Sequence, residues 1–387
     1  MNQFHIPTKI SFGENALEQL ASLGGTRICI IADPFVAGGD LIQPIIRTLS
    51  QAGKEYVVHA GVSPDPSTDL VRDGVTAYVQ GRCDAVVGVG GGSTMDTAKA
   101  VRKIAVGITG QDNVPLVCIP TTSGTGSEVT PFAVISNLKT DEKVPLVSPD
   151  MAPDEAILDV RMVASMPAGI AAATGMDTMA HVFEAYVSRG RHDFSDALAE
   201  KTVEICGRYL YRSFAGTDPE AREKMQTAAA MAGMAFGYVG VGAAHSMAHQ
   251  LGAHFGIMHG QAVALLLPLI IEYNADLLDE VKQKDHLRSE DLTREIRKRY
   301  AALSLRLDLP GNNAETSLYG LCSYLRRLAS SMKLPLRIRE LVPELTWEAY
   351  EARIEIMARN AMLDPCTQAN PREPSEEDYR RMYRKIW

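Results

Sequence analysis

Asp84-Ala85-Val86-Val87-Gly88-Val89-Gly90-Gly91-Gly92-Ser93-Thr94-Met95-Asp96-Thr97-Ala98-Lys99 is the stretch that decides the fold class. Residues 84–89 are an apolar run of the kind a buried strand needs, and a helical pattern opens after the glycines. Gly91 and Gly92 let backbone N–H groups approach an anion closely, and the helix N-terminus at Ser93 and Thr94 adds partial positive charge. Ser93 with Asp96 three residues on reads as a capping box. The loop departs from the G-x-G-x-x-G fingerprint, because Ser93 stands in the last glycine's place and the loop follows the third predicted strand. With no Gly-Lys-Ser/Thr it is not a Walker loop either. Taken alone, such a glycine run also fits an ordinary tight turn without a ligand.

A second loop changes that balance. Pro120-Thr121-Thr122-Ser123-Gly124-Thr125-Gly126-Ser127-Glu128 also follows an apolar run. The hydroxyls of Thr121, Thr122 and Thr125 suit ribose or phosphate oxygens. Two such loops at the ends of parallel strands mark where open α/β sheets bind nucleotides. Asp33 ends the first apolar run, before Pro34. A carboxylate there suits a ribose hydroxyl and repels a 2′-phosphate, favouring NAD over NADP; it equally suits a turn before proline.

Outward from these loops, residues 28–32, 56–60, 84–89 and 116–119 read as buried strands with helical patterns between several of them. That alternation predicts βαβ units and a parallel sheet. Residues 145–159 read as a further irregular or hairpin segment. After Pro167 helical periodicity dominates, interrupted at Pro268, at Pro310-Gly311 and near Pro335. The division expected is an α/β dinucleotide-binding domain over 1–165 and a helical, metal-binding and catalytic domain over 166–387.

Bulk properties exclude several classes. A net charge of −8 argues against a general nucleic-acid binder. The six cysteines are scattered without a C-x-x-C pair, which suits reduced thiols in a cytoplasmic setting. The N-terminus shows no basic segment followed by an apolar one, so no secretory signal is legible. Residues 228–244 are uncharged, but their Gly and Ala content predicts a helix buried in the helical domain rather than a membrane span.

The chemistry sits in the histidines. Six of the nine fall between positions 181 and 259, mostly in apolar surroundings where unligated imidazoles are costly to bury. Asp177 and His181 are spaced i, i+4, as are His245 and His249, so each pair shares a helix face. His259 follows a short connection containing glycine, and His254 is the expected bystander. Asp177, His181, His245, His249 and His259 cannot all ligate one four-coordinate ion. A helical pair plus two later histidines gives three imidazoles and one carboxylate, appropriate to Fe(II), Zn(II) or Mn(II). Neither pair is H-E-x-x-H, which argues against a zincin peptidase, and no G-x-S-x-G elbow occurs. A metal beside a dinucleotide points to hydride transfer at a polarised C–O bond.

With these residues in view, the chain resembles the iron-containing (group III) alcohol dehydrogenases along nearly its whole length. The matching motifs are Gly90-Gly91-Gly92-Ser93-x-x-Asp96-x-x-Lys99, residues 120–130, Ala173-Thr174-Gly175-Met176-Asp177-x-x-x-His181-x-x-Glu184-Ala185, residues 244–260, and Cys366-Thr367-x-x-Asn370-Pro371-Arg372. The resemblance implies a Rossmann-like parallel-sheet domain joined to an all-α domain, the architecture shared with dehydroquinate synthase, with the active site in the cleft between them. It implies Asp177, His181, His245 and His259 as ligands of Fe(2+) or Zn(2+), with NAD(H) as the second cofactor. His249 then falls outside the metal shell, near the nicotinamide, as a candidate for proton relay. Asp65 and Lys143 fall at positions lining the cofactor, and Phe132 where relatives often carry a smaller or polar residue.

Within the family, residues 4–10 and 193–200 look most like the 1-propanol dehydrogenases of bacterial microcompartments. That likeness implies reduction of short aldehydes such as propanal with regeneration of NAD+. No separate amphipathic extension for encapsulation is legible ahead of the domain. The expectation is a cytoplasmic or microcompartment enzyme, a homodimer or larger homo-oligomer, with microcompartment proteins as candidate partners and neither nucleic acid nor membrane. Alternatives are a 1,2-diol or 1,3-propanediol oxidoreductase or a glycerol dehydrogenase, a lyase on the same architecture, and a non-catalytic metal-binding scaffold.

Overall fold

The computed structural model describes residues 3–137, 142–216, 218–278 and 290–387, and the side chains of Asn137, Glu142 and Lys143 lie outside that description. The strands in chain order are β1 (Lys9–Phe12), β2 (Arg27–Ala32), β3 (Glu55–His59), β4 (Ala85–Gly90), β5 (Leu116–Pro120), β6 (Phe132–Asn137), β7 (Glu142–Val147) and β8 (Glu155–Leu158). Six of them form a parallel sheet in the order β1-β8-β5-β4-β2-β3, while β6 and β7 pair separately as an antiparallel hairpin. β4 and β5 are buried at every residue, which is why the central strands read as continuous apolar runs.

Side chains alternate across this sheet. Ile28, Ile30, Val87 and Val89 pack on one face against Leu17, Leu20, Ile45 and Leu49. Cys29, Ile31 and Val86 pack on the other against Val71, Val75, Met95 and Val101. Each fully buried aliphatic side chain contributes about 1.5–3 kcal/mol by leaving water. The helices that cover the sheet are α1 (Pro34–Gly38), α2 (Ile42–Gln51), α3 (Thr68–Gln80) and α4 (Gly92–Thr109). From β2 the chain moves to β3 on one flank and then to β4 on the other, so the order reverses between β2 and β4. Ligands of open α/β sheets bind outside the strand ends at such a reversal.

One expectation needs correcting here, and one strand gave no expectation at all. Residues 155–158 are β8, a parallel strand between β1 and β5, and the hairpin lies upstream of it. β1 is short and polar at Lys9 and Ser11, as an edge strand can be, and gave no apolar run to read.

The remaining helices are α5 (Ala168–Val187), α6 (Asp193–Ala215), α7 (Pro219–Val239), α8 (Ala243–Phe255), α9 (His259–Asn274), α10 (Glu290–Arg306), α11 (Ala314–Ser331), α12 (Ile338–Leu341), α13 (Trp347–Leu363), α14 (Pro365–Ala369) and α15 (Glu376–Lys385). The chain forms two compact units, Met1–Met166 with Asp218–Gly237, and Pro167–Thr217 with Tyr238–Trp387. The first crossing between these units falls at Met166 and Pro167, and most of α7 groups with the sheet. The reason is visible in its contacts: Gln226 Nε2 donates to the Pro120 carbonyl at 3.2 Å, and Arg222 Nη2 to the Met166 carbonyl at 2.8 Å.

The uncharged stretch 228–244 is correspondingly two helices, α7 and α8, broken at Gly240 with φ +75°. No single described helix is long and apolar enough to cross a membrane. Pro268, expected to interrupt a helix, sits inside α9 instead. The carbonyl of Pro268 accepts from the Cys322 thiol at 3.6 Å, and burial on almost every side holds the helix through it.

Candidate functional site

In the sheet unit, the loops after β2, β3, β4 and β5 share the C-terminal edge because the strands are parallel. Asp33 follows β2 and caps α1, its Oδ1 accepting from the Val36 N–H at 2.9 Å. The turn reading of Asp33 is therefore realised, on the strand that borders the order reversal. Asp65 lies in the exposed loop after β3 with φ +55°. Lys143 belongs to β7, and its side chain lies outside the described residues.

The two glycine-containing loops pack on each other. A Cβ on Gly92 would stand 2.8 Å from Thr125 Cγ2 and force that side chain to shift, and one on Gly91 would make a tight 3.3 Å contact with Thr122 Cγ2. The Thr121 N–H donates to the Gly90 carbonyl at 3.0 Å. Gly92 and Ser93 begin α4 beside these threonines, where the first-turn N–H groups of a helix can meet an anion, while the Thr94 N–H donates to the Gly91 carbonyl at 3.1 Å.

The capping box does not form. Gly91 is the N-cap of α4, and Ser93 lies within the first turn. Asp96 instead commits both oxygens to the protein, Oδ1 accepting from Ser127 Oγ at 2.6 Å and Oδ2 from the Val134 N–H at 2.9 Å. That geometry makes Asp96 a tie between α4 and the second loop rather than an open cofactor ligand. Lys99, fully buried, completes the tie by donating to Ser127 Oγ and to the Phe132 carbonyl, each at 2.8 Å. Burial pushes its pKa down, opposed by the Asp96 charge. Phe132 lies against Phe236 with ring centroids 5.9 Å apart.

In the helical unit, Asp177 and His181 stand on α5, His245 and His249 on α8, and His259 opens α9. α5 is buried on nearly every side, so only a ligated or paired carboxylate is tolerable at Asp177. α9 begins hard against α5: a Cβ on Gly260 would lie 2.4 Å from the Ala173 carbonyl oxygen. This close approach is what delivers His259 to Asp177.

Asp177 Oδ1 lies 3.8, 3.6 and 3.5 Å from Nε2 of His181, His245 and His259 respectively. Those separations are long for hydrogen bonds and match donors sharing an ion, since ligand bonds near 2.1 Å put tetrahedral neighbours about 3.4 Å apart. Asp177 Oδ1 and His245 Nε2 are buried without a hydrogen-bond partner, which is costly unless something else occupies both. One donor atom from each of Asp177, His245 and His259 falls within 4.8 Å of the others. His181 is the outer member, its ring stacked on His245 with centroids 4.7 Å apart. A buried donor set of imidazoles and one carboxylate fits a divalent transition ion.

Charge is arranged accordingly. Burial acts to raise the Asp177 pKa, but the charges of His181 and His259 and the contact with His245 outweigh it and hold the carboxylate well below its usual range. Burial acts to lower His245, yet Glu184 and Asp177 push it up to about 10. His245 Nδ1 meets Glu184 Oε2 at 2.5 Å, and Glu184 Oε1 accepts from the Ala244 N–H at 2.7 Å. Glu184 thereby fixes the ring so that Nε2 faces Asp177.

His249 stands beside the cluster, its ring stacked on His259 at 5.5 Å between centroids. Its Nδ1 donates to Asp364 Oδ2 at 2.8 Å, which leaves Nε2 for other work. His254 lies in the last turn of α8 against Phe255, outside the converging set. His192 caps α6 by accepting from the Ser195 N–H, and His286 lies outside the described residues.

Comparison with known proteins now decides the family. The model of the Fe-containing alcohol dehydrogenase family, C-terminal, matches residues 171–387, and that of iron-containing alcohol dehydrogenase matches residues 7–160. The chain belongs to the iron-containing alcohol dehydrogenase family. Its relatives in this family include the 1-propanol dehydrogenase PduQ of Citrobacter freundii, 37% identical over 378 residues and 96% of each chain. The NADPH-dependent butanol dehydrogenase of Clostridium saccharobutylicum is 32% identical over 406 residues, covering 100% of this chain and 98% of that one. The crystal structure of a 1,3-propanediol oxidoreductase superposes with a TM-score of 0.88 at 29% identity, covering 100% of both chains. The parallel sheet followed by a helical unit is thus the architecture of iron-containing alcohol dehydrogenases.

Sequence reasoning quoted Glu184 and Lys99 within family motifs without giving either a role, and it missed Asp364. Glu184 follows His181 by three residues and shares its helix face, a signal that was available. Glu184→Gln is expected to weaken metal binding about 10–100-fold, as loss of a ligand's orienting partner does elsewhere. Equilibrium dialysis against zinc checks it, and unchanged affinity would remove Glu184 from the site. Metal binding is also expected to release a proton. With its pKa raised to about 10, metal-free His245 is protonated at neutral pH, so affinity rises with pH toward that value and falls on acidification. The same proton stabilises the metal-free fold fully below about pH 6.5, the ordinary histidine value, and is lost through about 10. Calorimetry in buffers of different ionisation enthalpy reads the release, and none at neutral pH contradicts it.

Proposed function

We propose that this chain uses NAD(H) and a divalent metal, Fe(2+) with Zn(2+) as the alternative, to interconvert short primary alcohols and aldehydes. Propanal and 1-propanol are the favoured pair. The observation that carries the reading is the buried, unpartnered Asp177 Oδ1 with three imidazoles at 3.5–3.8 Å. Asp177, His181, His245 and His259 would hold the metal, and Glu184 would orient His245. Bound there, the metal would supply Lewis acidity toward a C–O bond, and NAD(H) would supply hydride chemistry.

His249 holds and moves the proton. With Nδ1–H fixed on Asp364, Nε2 carries the lone pair that takes a proton in oxidation and returns it in reduction. Gly91, Gly92, Ser93 and Thr94 at the start of α4, with Thr121, Thr122 and Thr125, would cradle the pyrophosphate and ribose. Lys143 and Asp65 complete this reading of the cofactor site.

PduQ supports the 1-propanol reading. The structural likeness to a 1,3-propanediol oxidoreductase favours a diol as the second reading. A homodimer or larger homo-oligomer, in the cytoplasm or inside a microcompartment with its shell proteins as partners, accompanies the first. The experiment is NADH oxidation by anaerobically purified, iron-loaded protein against acetaldehyde, propanal, 3-hydroxypropanal and dihydroxyacetone. Preference for propanal supports the first reading, and preference for either hydroxylated carbonyl replaces it. No metal-dependent turnover would end both.

Asp33 sets the nucleotide preference in this proposal, although one relative is NADPH-dependent. Asp33→Ser keeps an oxygen to cap α1 while removing the charge that faces a 2′-phosphate. The ratio of kcat/KM for NADPH over NADH is expected to rise roughly tenfold, equivalent to about 1.4 kcal/mol. An unchanged ratio would take the ribose role from Asp33.

A further inference from the structure

We propose that His249, Asp364 and Cys366 form a second cation site, which takes Zn²⁺ in exchange for the thiol proton of Cys366 and inhibits the enzyme. One donor atom from each residue lies within 4.8 Å of the others, and none of the three is needed to ligate the ion at Asp177. The set contains an imidazole, a carboxylate and a thiol, the donors that zinc combines in three-ligand sites with an open fourth position. Cys366 is the one half-buried cysteine, the other five being buried.

Asp364 is already a focus of donors. Its Oδ2 accepts from His249 Nδ1 at 2.8 Å, its Oδ1 from the Cys366 N–H at 2.9 Å, and the Cys366 thiol also hydrogen-bonds to the carboxylate. α14 begins at Pro365 with Asp364 as its cap, so Asp364 and Cys366 are held in one turn below α8. Burial and the Asp364 charge both disfavour a lone thiolate at Cys366. A dication reverses that penalty, because the negative charge that repels a thiolate attracts the ion.

The exchange balances. Cys366 releases its thiol proton to solvent, while the single N–H hydrogen of the neutral His249 ring moves from Nδ1 to Nε2, so one proton leaves for each ion bound. Zinc then bonds imidazole nitrogen, carboxylate oxygen and thiolate sulfur, and its two positive charges match the carboxylate and the thiolate. A ring bound through Nδ1 carries its N–H hydrogen on Nε2. The lone pair assigned above to proton transfer is then lost. Inhibition therefore rests on the proposed role of His249, whereas binding does not.

The test uses the full-length protein with its primary site filled by one equivalent of Co²⁺, a site that holds no sulfur donor. A second equivalent of Co²⁺ is expected to produce thiolate-to-cobalt charge-transfer absorption, and Zn²⁺ to displace it. Cys366→Ser should keep basal turnover, lose that absorption and need at least about tenfold more zinc for inhibition of the iron-loaded enzyme. Native protein without the absorption band overturns the site. Equal zinc inhibition of native and Cys366→Ser enzymes overturns the inhibitory role. If no aldehyde is reduced at all, the proposed function fails while the cobalt titration still reports on this site.

Discussion

His259→Ala is expected to lose bound metal and to lower kcat by about 10³-fold, the several kcal/mol a Lewis acid contributes to charge stabilisation. His259 enters from the first position of α9 and brings its Nε2 within 3.5 Å of Asp177 Oδ1. Its side chain is 40% exposed, the most open of the cluster, so truncation should empty the site without disturbing the buried helices behind it. NADH binding, followed by nucleotide fluorescence, should persist because the loops that would hold it belong to the sheet unit. Elemental analysis decides the matter: stoichiometric metal with full turnover in His259→Ala would refute the ligand assignment.

His249→Gln should leave metal content intact and lower kcat by about 10²–10⁴-fold, the range removed with a general acid or base. The limb of the kcat–pH profile belonging to that group should vanish with it. A glutamine can still hydrogen-bond Asp364, so the α8 to α14 tie at 2.8 Å has a partial substitute. Loss of metal in this variant would make His249 a ligand instead, and an unchanged pH profile would end the relay role.

The central sheet was legible because β2, β4 and β5 are buried on both faces and leave unbroken apolar runs. β1 and β8 were not, each being only four residues long with polar or charged positions. The i, i+4 pairs on α5 and α8 made Asp177 with His181, and His245 with His249, legible as neighbours, since helical spacing fixes which side chains share a face. What spacing could not show is convergence: the tight approach of α9 to Ala173 is a packing fact. Asp364 was invisible for the same reason, lying 115 residues from the imidazole it orients. Ser93 and Asp96 matched a capping pattern, yet Gly91 became the cap because Asp96 found stronger partners in Ser127 and Val134. Pro268 misled because a fully buried environment overrides a local breaker.

The membership of α7 has a bearing on how this polypeptide can be taken apart. Residues 218–237 return to the sheet after an excursion of some fifty residues through the helical part. No single scission therefore separates two self-sufficient pieces. A fragment ending at Met166 would expose the surface that Gln226 and Arg222 normally seal, and its complement would carry an orphaned apolar rod. The sheet-bearing and helical portions are thus obliged to be made, and inherited, together.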